Sequence, residues 1–271
     1  MSVILKHEHY LEVSGEKIFY QHLIPQASET KKPTILFLHD AIGSVSQWRG
    51  FPDQLVKRLG YPAIVYDRYG YGRSQASSQK RDKNYLHQEA LERLPAFLEA
   101  LGLEEIILFG HSDGGSIAII FAGQVPRNIH LHGVITEAAH VFVEEITLAG
   151  IREIVELAKQ SDFLKKLAKF HGDKTDYLFK AWHKTWLSSE FRNWNIEDYL
   201  PQITCPALMI QGEDDEYGTQ KQVDAIVSQV QGPRQKLMIP GCAHVPHYQA
   251  EEEVLKAVGA FLLWRDKILK P

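Results

Sequence analysis

Sulfur is scarce in this chain. Among 271 residues there are two cysteines, Cys205 and Cys242, and three methionines. Two cysteines are too few for a disulfide framework, and both fall in strand–turn contexts, so they read as reduced thiols in a cytoplasmic protein. Charge of one sign is also short. The formal net charge is −4 at pH 7, and no basic run is long enough to make a nucleic-acid surface. Lys31–Lys32 and the group Lys165, Lys166 and Lys169 read as solvated faces. No stretch approaches the ~18 consecutive apolar residues of a membrane helix, so membrane insertion of that kind is excluded. Met1–Tyr20 carries Lys6, Glu8, Glu12, Glu16 and Lys17 without an apolar core behind positive charge, and does not read as a secretory leader. Internal repeats and low-complexity segments are absent.

What remains is ordinary globular composition, 44% hydrophobic and 24% charged, long enough for one large core or a core with a small insert. Short apolar runs alternate with longer helical patterns. The runs are 18–24, 34–38, 63–66, 106–109, 133–135, 207–210 and 236–239. The amphipathic segments cover roughly 47–59, 85–101, 115–124, 219–231 and 251–269. Continuous apolar runs fit strands buried on both faces. Their alternation with helices predicts an α/β fold: a mostly parallel, twisted sheet of about eight strands flanked by helices. Pro95 should kink or split its helix. Residues 139–200 break the rhythm, reading as three or four helices (144–158, 161–170, 174–186 and 189–199). They predict a helical cap inserted into a core made of 1–138 and 201–271.

The pattern Gly110-His111-Ser112-Asp113-Gly114 follows an apolar run and precedes a helical stretch. A sharp strand-to-helix turn exposes the central hydroxyl, and the flanking glycines remove Cβ atoms that would clash. The next helix aims its N-terminus at the same spot, favouring developing negative charge. A serine hydroxyl needs a base and an acid to become a nucleophile. His244 lies on the loop after the last strand run, and Glu213, Asp214 and Asp215 on the loop after the one before. All lie beyond strand C-termini, at the same edge of a parallel sheet as Ser112.

These features resemble the α/β-hydrolase superfamily, in its capped branch of small-molecule hydrolases, over about 18–269. Leu38-His39-Asp40-Ala41-Ile42-Gly43-Ser44 is similar to that family's His-Gly loop. Tyr66-Asp67-Arg68-Tyr69-Gly70-Tyr71-Gly72-Arg73-Ser74 is similar to its Asp-x-x-Gly-x-Gly-x-Ser turn. The resemblance implies Ser112 as nucleophile, Asp215 as acid, three residues after Gly212, and His244 as base. It also implies an oxyanion hole from the N–H groups of Ala41 and Asp113. Two departures bear on that hole. Asp40 stands where the family has glycine and is expected to narrow or re-turn the loop. Asp113 replaces a commoner apolar residue, and its charge would oppose catalysis unless paired or turned away.

His39, His111, His140, Trp182 and Trp186 are expected to line or support the substrate pocket. Glu137 is a rival acid or a hinge residue, His247 a surface or loop histidine, and Cys242 no nucleophile. The reaction expected is hydrolysis of a small acyl substrate, by default an ester, through an acyl-enzyme without cofactor or metal. Thioesters, lactones, amides, carbon–carbon bonds, and lyase or synthase chemistry remain open with the same triad. A ligand receptor or scaffold on a hydrolase fold is the rival from another class. The partner expected is a small-molecule substrate, and a homodimer stays open.

Overall fold

A computed structural model describes residues 3–26, 32–77 and 81–268. Met1, Ser2, Lys31 and Leu269, each used in the sequence reading, lie outside these. The order is β1 (Ile4–Val13), β2 (Glu16–Pro25), β3 (Thr34–Leu38), α1 (Phe51–Leu59), β4 (Ala63–Tyr66), α2 (Tyr85–Gln88), α3 (Leu94–Leu101), β5 (Glu105–His111), α4 (Asp113–Gly123) and β6 (His130–Glu137). Then come α5 (Glu145–Gln160), α6 (Phe163–His171), α7 (Thr175–Trp186), β7 (Ala207–Gly212), α8 (Gln220–Gln229), β8 (Arg234–Ile239), α9 (Pro246–Gln249) and α10 (Glu251–Ile268). Eight strands form one sheet in the order β1-β2-β4-β3-β5-β6-β7-β8. β1 and β2 are antiparallel additions at one edge, and β3 onward run parallel.

Alternation of side chains across the pleat divides each central strand between two cores. Leu36, Ile64 and Leu108 pack on one face, and Ile35, Phe37, Val65 and Phe109 on the other. Burial on both faces explains the continuous apolar runs.

Two details depart from sequence expectation, at β1 and at 189–199, and one follows it, the helix split expected at Pro95. β1 showed no periodicity because most of its residues face solvent. It is fixed by a two-residue turn with Ser14 and Gly15 both at positive φ, 52° and 81°, the geometry that matches hairpin twist. Residues 85–101 split into α2, a π-helical turn over Glu89–Arg93, and α3 with Pro95 in its first turn, where the missing N–H costs nothing. Residues 189–199 do not form the fourth α-helix. Ser188 Oγ accepts the Phe191 N–H and Asn195 Oδ1 the Glu197 N–H, side-chain bonds that compete with a helical ladder. The chain then closes in a 3-10 turn over Glu197–Gln202.

Two of the side chains that tie the segment between β6 and β7 to the core are His171 and Lys174. The His171 ring accepts the Gly72 N–H at Nδ1 (3.0 Å) and donates from Nε2 to the Ile42 carbonyl (2.8 Å). Lys174 Nζ donates to the carbonyls of Tyr71, Gly72 and Ser74.

Candidate active site

Ser112 occupies the one-residue turn between β5 and α4, at φ 53° and ψ −117°, a strained conformation for a residue with a Cβ. The turn is tight enough to demand glycine. A Cβ on Gly114 would lie 2.0 Å from the Leu38 carbonyl oxygen, and one on Gly110 would lie 2.2 Å from that of Gly114. The Ser112 N–H donates to the Glu137 carbonyl at 2.8 Å, fastening the turn to the end of β6.

His244, on the loop after β8, spans the gap between serine and acid. Its Nε2 lies 3.0 Å from Ser112 Oγ and its Nδ1 lies 2.9 Å from Asp215 Oδ1. Asp215, beyond β7, is 5% exposed. The N–H groups of Tyr217 and Gly218 donate to its Oδ1, and Gln211 Nε2 donates to its Oδ2. Burial alone would raise its carboxyl pKa. The charge and hydrogen bond of His244 more than offset that and hold it below the usual range. Asp214 is not in this constellation; its N–H donates to the Cys242 carbonyl instead.

Ala41, after β3, and Asp113, the first residue of α4, both face the cavity over Ser112. Among the described residues neither backbone N–H has an acceptor. The Asp40 side chain bonds within the turn of this loop. Its Oδ1 accepts the Ile42 N–H at 2.9 Å, and its Oδ2 lies 3.6 Å from His111 Nδ1. Burial opposes its ionisation, yet the His111 contact holds its carboxyl well below the ordinary range. His111 is pushed upward in return, the pull of Asp40 exceeding the penalty of burial. Its Nε2 donates to the His244 carbonyl at 2.8 Å, so one imidazole joins the Ala41 loop to the His244 loop.

The Asp113 carboxylate is occupied. It accepts the Tyr85 O–H at 2.7 Å, and that oxygen accepts Trp186 Nε1–H at 2.9 Å. A chain of two hydrogen bonds therefore runs from α7 through α2 to the residue after Ser112.

The cavity measures about 260 Å³. Its lining includes His140, Trp182, Trp186, Thr147, Ile151 and Tyr217. Trp194 instead stacks on Phe191 at 5.2 Å. His39 is a correction: it does not reach the cavity. It is buried beneath the loop, where Nδ1 donates to the Asp40 carbonyl and Nε2 accepts the Arg68 N–H. His247 is also corrected, from a surface residue to a buried one, with Nδ1 2.6 Å from Glu137 Oε2. Glu137 thus pairs with His247 and not with His244. No sequence signal pointed to Tyr85, Tyr217 or the Glu137–His247 pair. Both cysteines are free, and burial pushes the Cys242 thiol up to about 11 and that of Cys205 up to about 12, away from nucleophilic character. Among the described residues no group of three His, Cys, Asp or Glu could hold a metal ion, and no helix is long and apolar enough to cross a membrane.

Comparison with known proteins gives the family. Residues 35–257 match the profile of the alpha/beta hydrolase family. The chain belongs to that family. Among curated relatives of this family member, the human serine hydrolase BPHL is 26% identical over 257 residues, spanning 92% of this chain and 84% of its own. Proline iminopeptidase of Lactobacillus helveticus is 23% identical over 284 residues, spanning 92% and 95%. Among solved structures, the proline iminopeptidase of Mycobacterium smegmatis superposes with a TM-score of 0.76 at 19% identity, covering 97% of this chain and all of that one. It supports the alpha/beta hydrolase fold.

Proposed function

We propose that the protein is a serine hydrolase that cleaves a small acyl substrate, by default an ester, through an acyl-enzyme. The observation that carries this reading is the single imidazole of His244 within hydrogen-bond reach of both Ser112 Oγ and Asp215 Oδ1. With Nδ1–H donated to Asp215, the lone pair on Nε2 faces the serine hydroxyl. His244 takes that proton as Ser112 Oγ attacks the carbonyl, and returns it to the leaving group. The N–H groups of Ala41 and Asp113 receive the oxyanion, each worth roughly 3–4 kcal/mol in the transition state. Water activated by His244 then releases the acid and frees Ser112.

Residues 139–200 act in this reading as a cap over the 1–138 and 201–271 core, with Trp182 and Trp186 as the apolar wall for the acyl part. Free, unreactive thiols suit a reducing compartment such as the cytoplasm.

The lining also favours a second reading. Asp40, Asp113 and Glu216 border the cavity, and among the described residues no Lys or Arg does. That balance suits a substrate bearing a protonated amine, and the proline iminopeptidase relatives bring hydrolysis of an N-terminal amide within range of the same triad.

Serine-directed fluorophosphonate labelling, followed by a panel of p-nitrophenyl esters of graded chain length, tests the proposal. Labelling abolished in Ser112→Ala, with ester turnover in the unaltered protein, is the expected result. An unaltered protein that takes no label would instead support a receptor or scaffold. Labelling without turnover of any ester would favour amide, carbon–carbon or lyase chemistry.

A further inference from the structure

A second, smaller cavity of about 40 Å³ lies under the turn that follows β4, walled by Arg68, Tyr69, Arg81, Glu89 and Arg93. Arg68 is 0% exposed. Its Nη2 donates to the Asp40 carbonyl at 2.7 Å, but its Nε and Nη1 are buried with no acceptor. Arg81 Nη1 and the Tyr69 hydroxyl are likewise buried and unmatched. The two guanidinium groups stand over the same ring, their Cζ atoms 4.6 and 5.6 Å from the Tyr71 centroid.

The charge count around this space does not close. Among the described residues neither Arg68 nor Arg81 forms an ion pair. Arg93 is matched by Glu89 Oε1 at 2.7 Å, and Glu89 Oε2 is the one buried acceptor at the cavity without a partner. Three cations thus face two carboxylates, Glu89 and the Asp113 carboxylate that Tyr85 already holds, and burial depresses the pKa of Arg81. Water can satisfy the loose N–H groups but cannot neutralise the charge, and uncompensated buried charge is expensive.

We infer that this cavity binds one small inorganic anion of chloride size, held by Arg68 and Arg81. The volume is right for that class, since a water-sized sphere takes roughly 10–15 Å³, leaving room for one such ion and little more. Arg68 also places the ion behind the loop that bears Ala41. Its side chain holds the Asp40 carbonyl, and its backbone N–H holds His39 Nε2 at 3.1 Å. The inference stands apart from the reaction at Ser112.

Two measurements on the full chain test it. Crystals soaked in bromide should give an anomalous peak within hydrogen-bond reach of both guanidinium groups. In solution, replacing gluconate, which is too large for the cavity, by chloride at matched ionic strength should raise Tm by about 3 °C at roughly tenfold above Kd. Arg81→Gln, at a half-buried position that leaves the core packing in place, should lose that rise. Absence of the peak, absence of a chloride-specific rise, or an equal rise in Arg81→Gln would each overturn the inference.

Discussion

Glu137 Oε2 and His247 Nδ1 meet at 2.6 Å with their side chains 0% and 5% exposed, forming a second carboxylate–imidazole pair behind the one at His244. The main chain of Glu137 receives the Ser112 N–H, so a single residue grips the serine turn by its backbone and the His244 loop by its side chain. Burial holds the His247 imidazole below its ordinary range, so a neutral ring donates to Glu137, and Glu137→Ala, which removes that hydrogen bond, should cost about 1.5–3 kcal/mol in urea unfolding. Glu137→Gln, which keeps an acceptor for His247, should recover much of that stability and the rate of fluorophosphonate labelling. Equal stability of Glu137→Ala and the unaltered protein would sink this account.

Replacing the members of the Ser112–His244–Asp215 set should produce unequal losses. Ser112→Ala is expected to lower kcat about a million-fold, and Asp215→Asn about ten-thousand-fold by leaving the imidazole in the wrong tautomer. Circular dichroism should find both variants folded. Steady-state assays in which Asp215→Asn keeps more than a tenth of the activity would contradict the role of Asp215.

Tyr85→Phe deletes the donor to a carboxylate that is 2% exposed. A lost hydrogen bond to a charged group is worth about 1.5–3 kcal/mol, and thermal unfolding should register that loss. Because Asp113 also presents an oxyanion N–H in the proposed mechanism, kcat should fall while KM changes little. An unchanged Tm would show that solvent replaces the tyrosine at no cost.

Acid should loosen the helices between β6 and β7. Burial lowers the pKa of His171 below its ordinary 6.5, and its Nδ1 must stay unprotonated to accept from Gly72. The unfolded chain then binds a proton first as pH drops. The stabilising effect is complete above about 6.5 and is lost progressively below it. His39 and His140, also lowered by burial, act in the same direction. Tm measured from pH 7.5 to 5 should therefore decline, and the decline should be smaller in His171→Gln. Identical slopes in the two proteins would rule out His171 as a contributor.

The parts of the site legible in the sequence were those set by local turn chemistry. The Gly110–Gly114 turn, the loop after β7 and the loop after β8 each announce themselves by a strand run and a few small or polar residues. Their convergence follows from parallel topology alone. The contacts that escaped notice join distant segments: Tyr85 with Asp113, 28 residues apart, and Glu137 with His247, 110 apart. No periodicity encodes such pairs, because packing of the helices between β6 and β7 and of α9 decides them. His39 was misplaced for the same reason. Its neighbours in sequence form the cavity wall, whereas its own ring turns inward to Arg68. β1 was invisible because an exposed edge strand buries too little to leave an apolar signature.

The hydrogen-bond chain from Trp186 through Tyr85 to Asp113 also bears on how this pocket can diversify. Enlarging it at Trp186 disturbs the residue that follows Ser112, so a gain in room there is coupled to a loss in rate. Trp182 and Ile151 border the same cavity outside that chain. Descendants of this protein that accept bulkier substrates are therefore expected to vary at those two positions first and to retain the indole at 186.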